Sequence, residues 1–356
     1  MNAAAPLSRE MLDRVVPRVD GWRGGIGGHV GPEGAGKEWM HFCVRLPGEP
    51  TGHLLVNVSV TERLLPTGPE RAARLVALAV AGGDAWTGTV RAFDAAEAAG
   101  NAGGIDLRLG QNRLAWRDGA FQLSLLTDEV AADLRLTPQT LPTVASGVSL
   151  GAAHAIHWVV LPRLEATGWV RLAGGPELRL ARALAYHDHN WGRFRWGGDL
   201  AWEWGFVLPR DPSCPWTAVV ARVSDGGRHR TLSQGALLWR GDALVRTFQD
   251  REIVVSMEGA HRGPRPLTLP RVASLLAPGA SAGVPAQLTV DASGHGERLS
   301  LSFATRSKAR VAIPSDVEPF RLVLLNETCG DAEVSGETAA GAFRFDGPAI
   351  MEFVRG

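Results

Sequence analysis

Apolar and polar residues alternate in short segments along this chain, at residues 54–60, 105–109, 121–125, 299–303 and 343–345. A period of two sends successive side chains to opposite faces and predicts half-buried strands. Between 114–116 and 121–125 stands Arg117-Asp118-Gly119, and its Asp-Gly pair supplies the positive φ that a tight hairpin demands. Helical spacing is scarce. Residues 8–16 predict one short helix capped by Ser8, and residues 70–79 suit helix and strand equally. The pattern is that of a mostly antiparallel β protein with too many strands for one small sandwich.

A weak internal echo points to two β domains. Glu38-Trp39-Met40-His41-Phe42 leads through Leu46-Pro47 to the alternating segment 54–60, and Glu203-Trp204-Gly205-Phe206 leads through Leu208-Pro209 to 216–223. Each copy reads as aromatic strand, proline turn, strand. Two closed β units would give this repeat and would also hide their strand edges. The boundary is expected between 180 and 200, giving domains at 1–185 and 186–356, with a ligand pocket at the junction.

Composition narrows the function. Lys+Arg and Asp+Glu are 37 each in 356 residues, so the balance carries no footprint for nucleic acid or for an anionic membrane surface. Residues 1–20 have no continuous apolar stretch, which argues against a secretory signal, and no run reaches the roughly 18 apolar residues of a spanning helix. Cys43, Cys214 and Cys329 are far apart and odd in number, as suits reduced thiols in a cytoplasm. The sequons at Asn57 and Asn326 are then coincidental.

Two motifs are decoys. Gly31 to Lys37 has the glycine and lysine spacing of a phosphate-binding loop, but Glu38 stands where a magnesium-ligating Ser or Thr belongs, and strand follows where a helix should. A flexible loop that admits ligand is the reading preferred. Gly147-Val148-Ser149-Leu150-Gly151 matches a nucleophile elbow, yet its surroundings are β on both sides, so Ser149 reads as a turn serine.

The densest chemistry is Tyr186-His187-Asp188-His189-Asn190-Trp191-Gly192, which contains the one tyrosine of the chain and is followed by Trp196, Trp202 and Trp204. As a strand, it turns Tyr186, Asp188 and Asn190 to one face and His187, His189 and Trp191 to the other, same-face neighbours lying about 6.6 Å apart. One face then offers a phenol, a carboxylate and an amide to a ligand. The other offers two imidazoles that brace the strand by hydrogen bonds. Asp188 against aromatic walls would hold its proton more tightly and serve as an acid. His187 and His189 also form a His-x-His pair, but two ligands do not make a metal site, and none is predicted. A purely structural role, with Asp188 and Asn190 satisfying backbone groups, is the competing reading. Twelve tryptophans beside one tyrosine favour a broad, apolar ligand.

With Tyr-His-Asp-His-Asn-Trp-Gly at 186–192, Trp-x-Trp-Gly at 202–205 and an early Glu-Trp-x-x-Phe at 38–42, the chain resembles the lipocalin-like superfamily of AttH proteins and hydroxyneurosporene synthase (carotenoid hydratase). Natural-product Diels-Alderases also belong to that superfamily. The resemblance spans nearly the whole chain and implies two lipocalin-like antiparallel β-barrel domains and no organic cofactor. In the hydratase branch an Asp and a Tyr protonate a carbon–carbon double bond. Those roles fall on Asp188 and Tyr186, with Trp158 as the upstream aromatic that steadies a cation. Hydratases lack the two His and continue with an acidic, proline-containing stretch, whereas this chain has His187, His189 and Gly192-Arg193-Phe194, which sets it nearer the AttH and pericyclase branch.

The expectation is a cofactor-independent enzyme for a hydrophobic polyene, isoprenoid or polyketide. Asp188 and Tyr186 are the catalytic candidates, Asn190, Trp158, Trp196, Trp202, Trp204 and Trp39 bind the substrate, and His187 and His189 orient the motif. A pericyclase that works by substrate folding, and a carrier of lipophilic molecules, are the alternatives.

Overall fold

The computed structural model of the chain describes residues 7–23, 36–65, 68–94, 97–100, 102–151, 154–276, 283–318 and 320–355; of the phosphate-loop look-alike at 31–37, residues 31–35 lie outside them and Gly36 and Lys37 begin a strand. The chain forms two compact units. One comprises Met1–Gly83 with Thr87–Phe194, the other Asp84–Trp86 with Arg195–Gly356.

The first unit opens with helix α1 (Arg9–Asp20), whose Ser8 side chain accepts from the Met11 amide. Strands β1 (Gly36–Leu46), β2 (Gly52–Leu65), β3 (Gly68–Val80), β4 (Trp86–Phe93), β5 (Ala98–Gly100) and β6 (Asp106–Leu109) follow. Then come β7 (Asn112–Arg117), β8 (Ala120–Leu126), β9 (Val130–Pro138), β10 (Thr143–Gly151), β11 (His154–Leu172) and β12 (Glu177–Arg193). They make one antiparallel sheet in the order β4-β3-β2-β1-β12-β11-β9-β8-β7-β6-β5, with β10 on β11. The sheet winds until β3 comes alongside β6 and β9. Asp118 and Gly119 turn the β7–β8 hairpin at φ 55° and 75°, as the Asp-Gly pair predicts.

The second unit repeats the plan. Its strands are β13 (Ala201–Val207), β14 (Trp216–Ser224), β15 (Thr231–Arg240), β16 (Ala243–Gln249), β17 (Ile253–Ala260), β18 (Leu267–Leu269), β19 (Pro285–Gly294), β20 (Glu297–Pro314), β21 (Leu322–Thr338) and β22 (Gly341–Arg355). The order is β16-β15-β14-β13-β22-β21-β20-β19-β17, and β18 adds a parallel pairing to β20. In both units the first strand sits between the second and the last. The fold is therefore all-β and consists of two lipocalin-like barrels.

Strand and helix ends differ from the sequence pattern in instructive places. Residues 70–79 are strand, within β3. The helix runs past Val16 and through Pro17 to Asp20, because Leu12, Val16 and Asp20 form one buried stripe at i, i+4. Ser149 lies within strand β10, so no elbow forms there.

In the first barrel the core is built by Met40, Phe42, Val159, Leu161 and Phe121 with Leu12 and Val16 of α1. Helix α1 is tied to the β7–β8 hairpin by Asp13, which accepts from the Trp116 indole N–H and the Gly119 amide, both at 2.8 Å. Among the described residues no helix is long and apolar enough to cross a membrane.

Candidate active site

Strand β12 runs between β1 and β11, so each of its side chains has a neighbour on either side. His187 and His189 stand opposite Phe42 and Met40 of β1 and Leu161 and Val159 of β11, all core residues. They face the barrel interior. The alternate residues Tyr186, Asp188 and Asn190 share the other face with Cys43, His41 and Trp39 of β1. On β11, Val160 stands opposite Asp188 and Trp158 opposite Asn190.

The three polar side chains of that face meet. The Tyr186 hydroxyl donates to Asp188 Oδ2 at 3.0 Å, and Asn190 Nδ2 donates to Asp188 Oδ1 at 2.7 Å. Asp188 is 2% exposed and Tyr186 is fully buried. A carboxylate with a side-chain donor on each oxygen is held in a fixed plane. Both donors also gain strength as negative charge builds on the carboxyl group, so they favour any step in which Asp188 gives up a proton.

His41, opposite Asp188, is buried, and burial followed by the neighbouring His187 pushes its pKa down to about 3. It is a neutral imidazole at physiological pH. The Trp158 indole nitrogen is buried with no acceptor among the described residues, and Trp39 meets Phe194 edge-on at 6.1 Å.

On the inner face the two imidazoles are clamped. His187 Nδ1 donates to the His41 carbonyl at 2.9 Å, and its Nε2 lies 2.9 Å from Asp20 Oδ2. His189 Nδ1 lies 3.2 Å from Asp20 Oδ1, and its Nε2 lies 2.9 Å from Glu38 Oε1. Glu38 also accepts from the Arg23 amide at 2.6 Å. Burial disfavours charge on His189, but its bonds to Asp20 and Glu38 outweigh that and raise its pKa to about 9. Burial likewise opposes ionisation of Asp20, yet His187 and His189 hold it below the usual carboxylate range. The His187 ring stacks on Phe42 at 4.1 Å, and His189 packs against Trp22 and Trp191 at 5.7 and 5.1 Å. The end of α1 is thus fastened to the strand that carries Asp188.

Trp196, Trp202 and Trp204 belong to the second unit. Trp196 and Trp202 lie 5.3 Å apart, and the Trp202 indole donates to Glu352. Trp204 packs on Phe206 at 5.6 Å.

Sequence reasoning missed Asp20, Glu38 and His41. Alternation along β1 places Glu38 on the face of Met40 and Phe42, and a carboxylate there needs a buried cation. Asp20 closes an otherwise apolar helix stripe, which was the corresponding signal.

No family model and no curated protein matches the sequence. Solved structures do match. A protein from Nitrosomonas europaea assigned to AttH aligns over 99% of this chain and 98% of its own, with a TM-score of 0.64 at 13% identity. Kievitone hydratase from Nectria haematococca aligns over 90% of this chain and 89% of its own, with a TM-score of 0.56 at 13% identity. CghA, in a structure with Sch210972, covers 90% of this chain and 88% of its own, with a TM-score of 0.56 at 14% identity. At these identities what is shared is architecture, and on that ground the chain has the lipocalin-like, two-barrel fold of AttH-type proteins.

Proposed function

We propose that the protein is an enzyme that protonates a carbon–carbon double bond of a hydrophobic polyene, isoprenoid or polyketide, without an organic cofactor, and so hydrates, isomerises or cyclises it. The observation that carries this reading is the hydrogen-bonded set on β12, with Tyr186 and Asn190 each donating to one oxygen of a buried Asp188. In its acid form Asp188 gives its proton to the alkene carbon. The carboxylate left behind is held by the phenol and the amide, which stabilise the charge as it forms. The positive charge on the substrate lies against the face of Trp158, an interaction worth about 2 kcal/mol when desolvated. The shared fold with kievitone hydratase supports hydratase or cyclase chemistry as the class.

His187 and His189 orient the strand from the opposite face and do not touch substrate. Their clamp through Asp20 and Glu38 fixes the backbone on which Asp188 rides.

The test uses lipophilic extracts incubated with the protein and compared by liquid chromatography and mass spectrometry. The wild-type protein converts one component to a product isomeric with it or heavier by one water. Asp188→Asn keeps the shape and removes the acid. Conversion by Asp188→Asn at the wild-type rate excludes the acid role and leaves substrate folding as the source of rate. Recovery of a bound ligand that no variant alters identifies a carrier.

A further inference from the structure

Protonating an alkene is half of a catalytic cycle. Once Asp188 has given up its proton the substrate carries a positive charge, and both hydration and isomerisation end only when a second proton leaves. In hydration that proton comes from the water that has added. In isomerisation it comes from the carbon beside the cation. Folding a substrate into a pericyclic product needs no such acceptor.

The face that holds Asp188 offers a candidate. His41 of β1 stands directly opposite Asp188 of β12, and opposite side chains on antiparallel strands point to the same face with Cβ atoms about 5 Å apart. Both residues are buried, His41 at 4% exposure. Of the other neighbours of Asp188, Tyr186 and Asn190 act as its donors, and Val160, opposite it on β11, is apolar. The His41 imidazole is neutral at rest, because burial and then His187 disfavour its charged form. A neutral imidazole carries one unprotonated nitrogen. The backbone of His41 is fixed from the inner face, where His187 Nδ1 donates to its carbonyl at 2.9 Å and Asp20 holds the other nitrogen of the His187 ring.

A base that is weak at rest does not stay weak. When Asp188 ionises, its negative charge stands across the strand pair from the imidazole in a buried setting and favours the protonated ring. The imidazolium in turn offsets the buried negative charge. The leaving proton, on a carbon beside a carbocation or on an oxygen newly bonded to one, is strongly acidic.

We infer that His41 is the catalytic base that completes the reaction begun by Asp188, taking the proton released as the cation is quenched. The inference rests on the reading of Asp188 as the acid. In the first step the Asp188 O–H bond breaks and a C–H bond forms with the alkene π electrons. In the second, a lone pair of water forms a C–O bond and an O–H bond of that water breaks, or the C–H bond beside the cation breaks and its electrons become the new π bond. Either way the proton ends on His41. Imidazolium and carboxylate return to their starting forms by proton exchange with solvent once the product has left, so water is the only co-reactant.

The test is turnover of the extract component that the wild-type protein converts, with each variant shown to be folded by circular dichroism. His41→Asn is expected to lower kcat at least a hundredfold with little change in KM. His41→Gly leaves room for an added base. Imidazole is expected to raise turnover of that variant at least tenfold, and pyrazole, a much weaker base of the same shape, to leave it unchanged. A packing role gives the two azoles equal effects, so equal effects, nil included, overturn the inference. Turnover by His41→Asn at the wild-type rate also overturns it, and decides the matter alone where His41→Gly does not fold. If Asp188→Asn is slow while His41→Asn is as fast as wild type, His41 alone is rejected. Asp188→Asn at the wild-type rate, or extracts left unchanged by the wild-type protein, overturns both the acid and the base.

Discussion

Asp188 is held by two donors that come from its own strand, two residues before it and two after. Removing each tests a different part of the arrangement. Asp188→Asn should lower turnover by about 10²- to 10⁴-fold, the range a general acid contributes. Tyr186→Phe deletes one charge-assisted hydrogen bond of roughly 1.5–3 kcal/mol and should cost about tenfold to a hundredfold in kcat, with KM little changed. A larger effect on KM than on kcat would make Tyr186 a binding group instead. This set was legible in the sequence, because alternation alone puts Tyr186, Asp188 and Asn190 on one face and the two His on the other. The partners of the histidines were not. Asp20 and Glu38 lie 167 and 151 residues away along the chain, and only the barrel brings them to His187 and His189.

At the scale of elements, β12 is supported from inside by a helix. Asp20 bonds both imidazoles, so Asp20→Asn leaves a buried cation short of its counter-charge and should destabilise the fold by about 3–5 kcal/mol. Amide exchange should then accelerate across Arg9–Asp20 and β12 together. Acceleration confined to the helix would show that the clamp does not hold the strand. Gly192 gives a second test, since a Cβ there would lie 2.1 Å from the Ala155 carbonyl oxygen on β11. Gly192→Ala should cost roughly 1–3 kcal/mol, read in a denaturant melt, by forcing β12 and β11 apart where they carry Asn190 and Trp158. The helix was visible in the sequence as far as Val16. Its last turn was hidden by Pro17, which usually marks a helix end, while burial of Asp20 in the clamp carries the helix on.

For the whole molecule, the two perturbed histidines of the first barrel set opposite limbs of a stability profile. His189 binds its proton more tightly when folded, so its contribution is complete below pH 6.5 and is lost as pH rises toward about 9. His41 does the reverse. Its contribution is complete above pH 6.5 and is lost as pH falls toward about 3. The melting temperature should therefore be highest near pH 6.5 and fall on both sides. Asp20→Asn should flatten the alkaline limb, and His41→Phe the acid one, in melts from pH 4 to pH 9. A profile with neither limb changed in these variants would assign the dependence to other groups.

The two-barrel plan was also readable, because the Glu-Trp repeats at 38–39 and 203–204 mark the first strand of each unit, and each of those strands pairs with the last strand of its own sheet. The lengths of β11, β12 and β20 to β22 were not, since long buried strands lose the alternation that reveals them. The account as a whole rests on a proton moving from the Asp188 site to carbon. Turnover in D₂O tests it most directly. The account predicts one carbon-bound deuterium in the product of the wild-type protein and none above background with Asp188→Asn, whereas a wild-type product with no carbon-bound deuterium would contradict it.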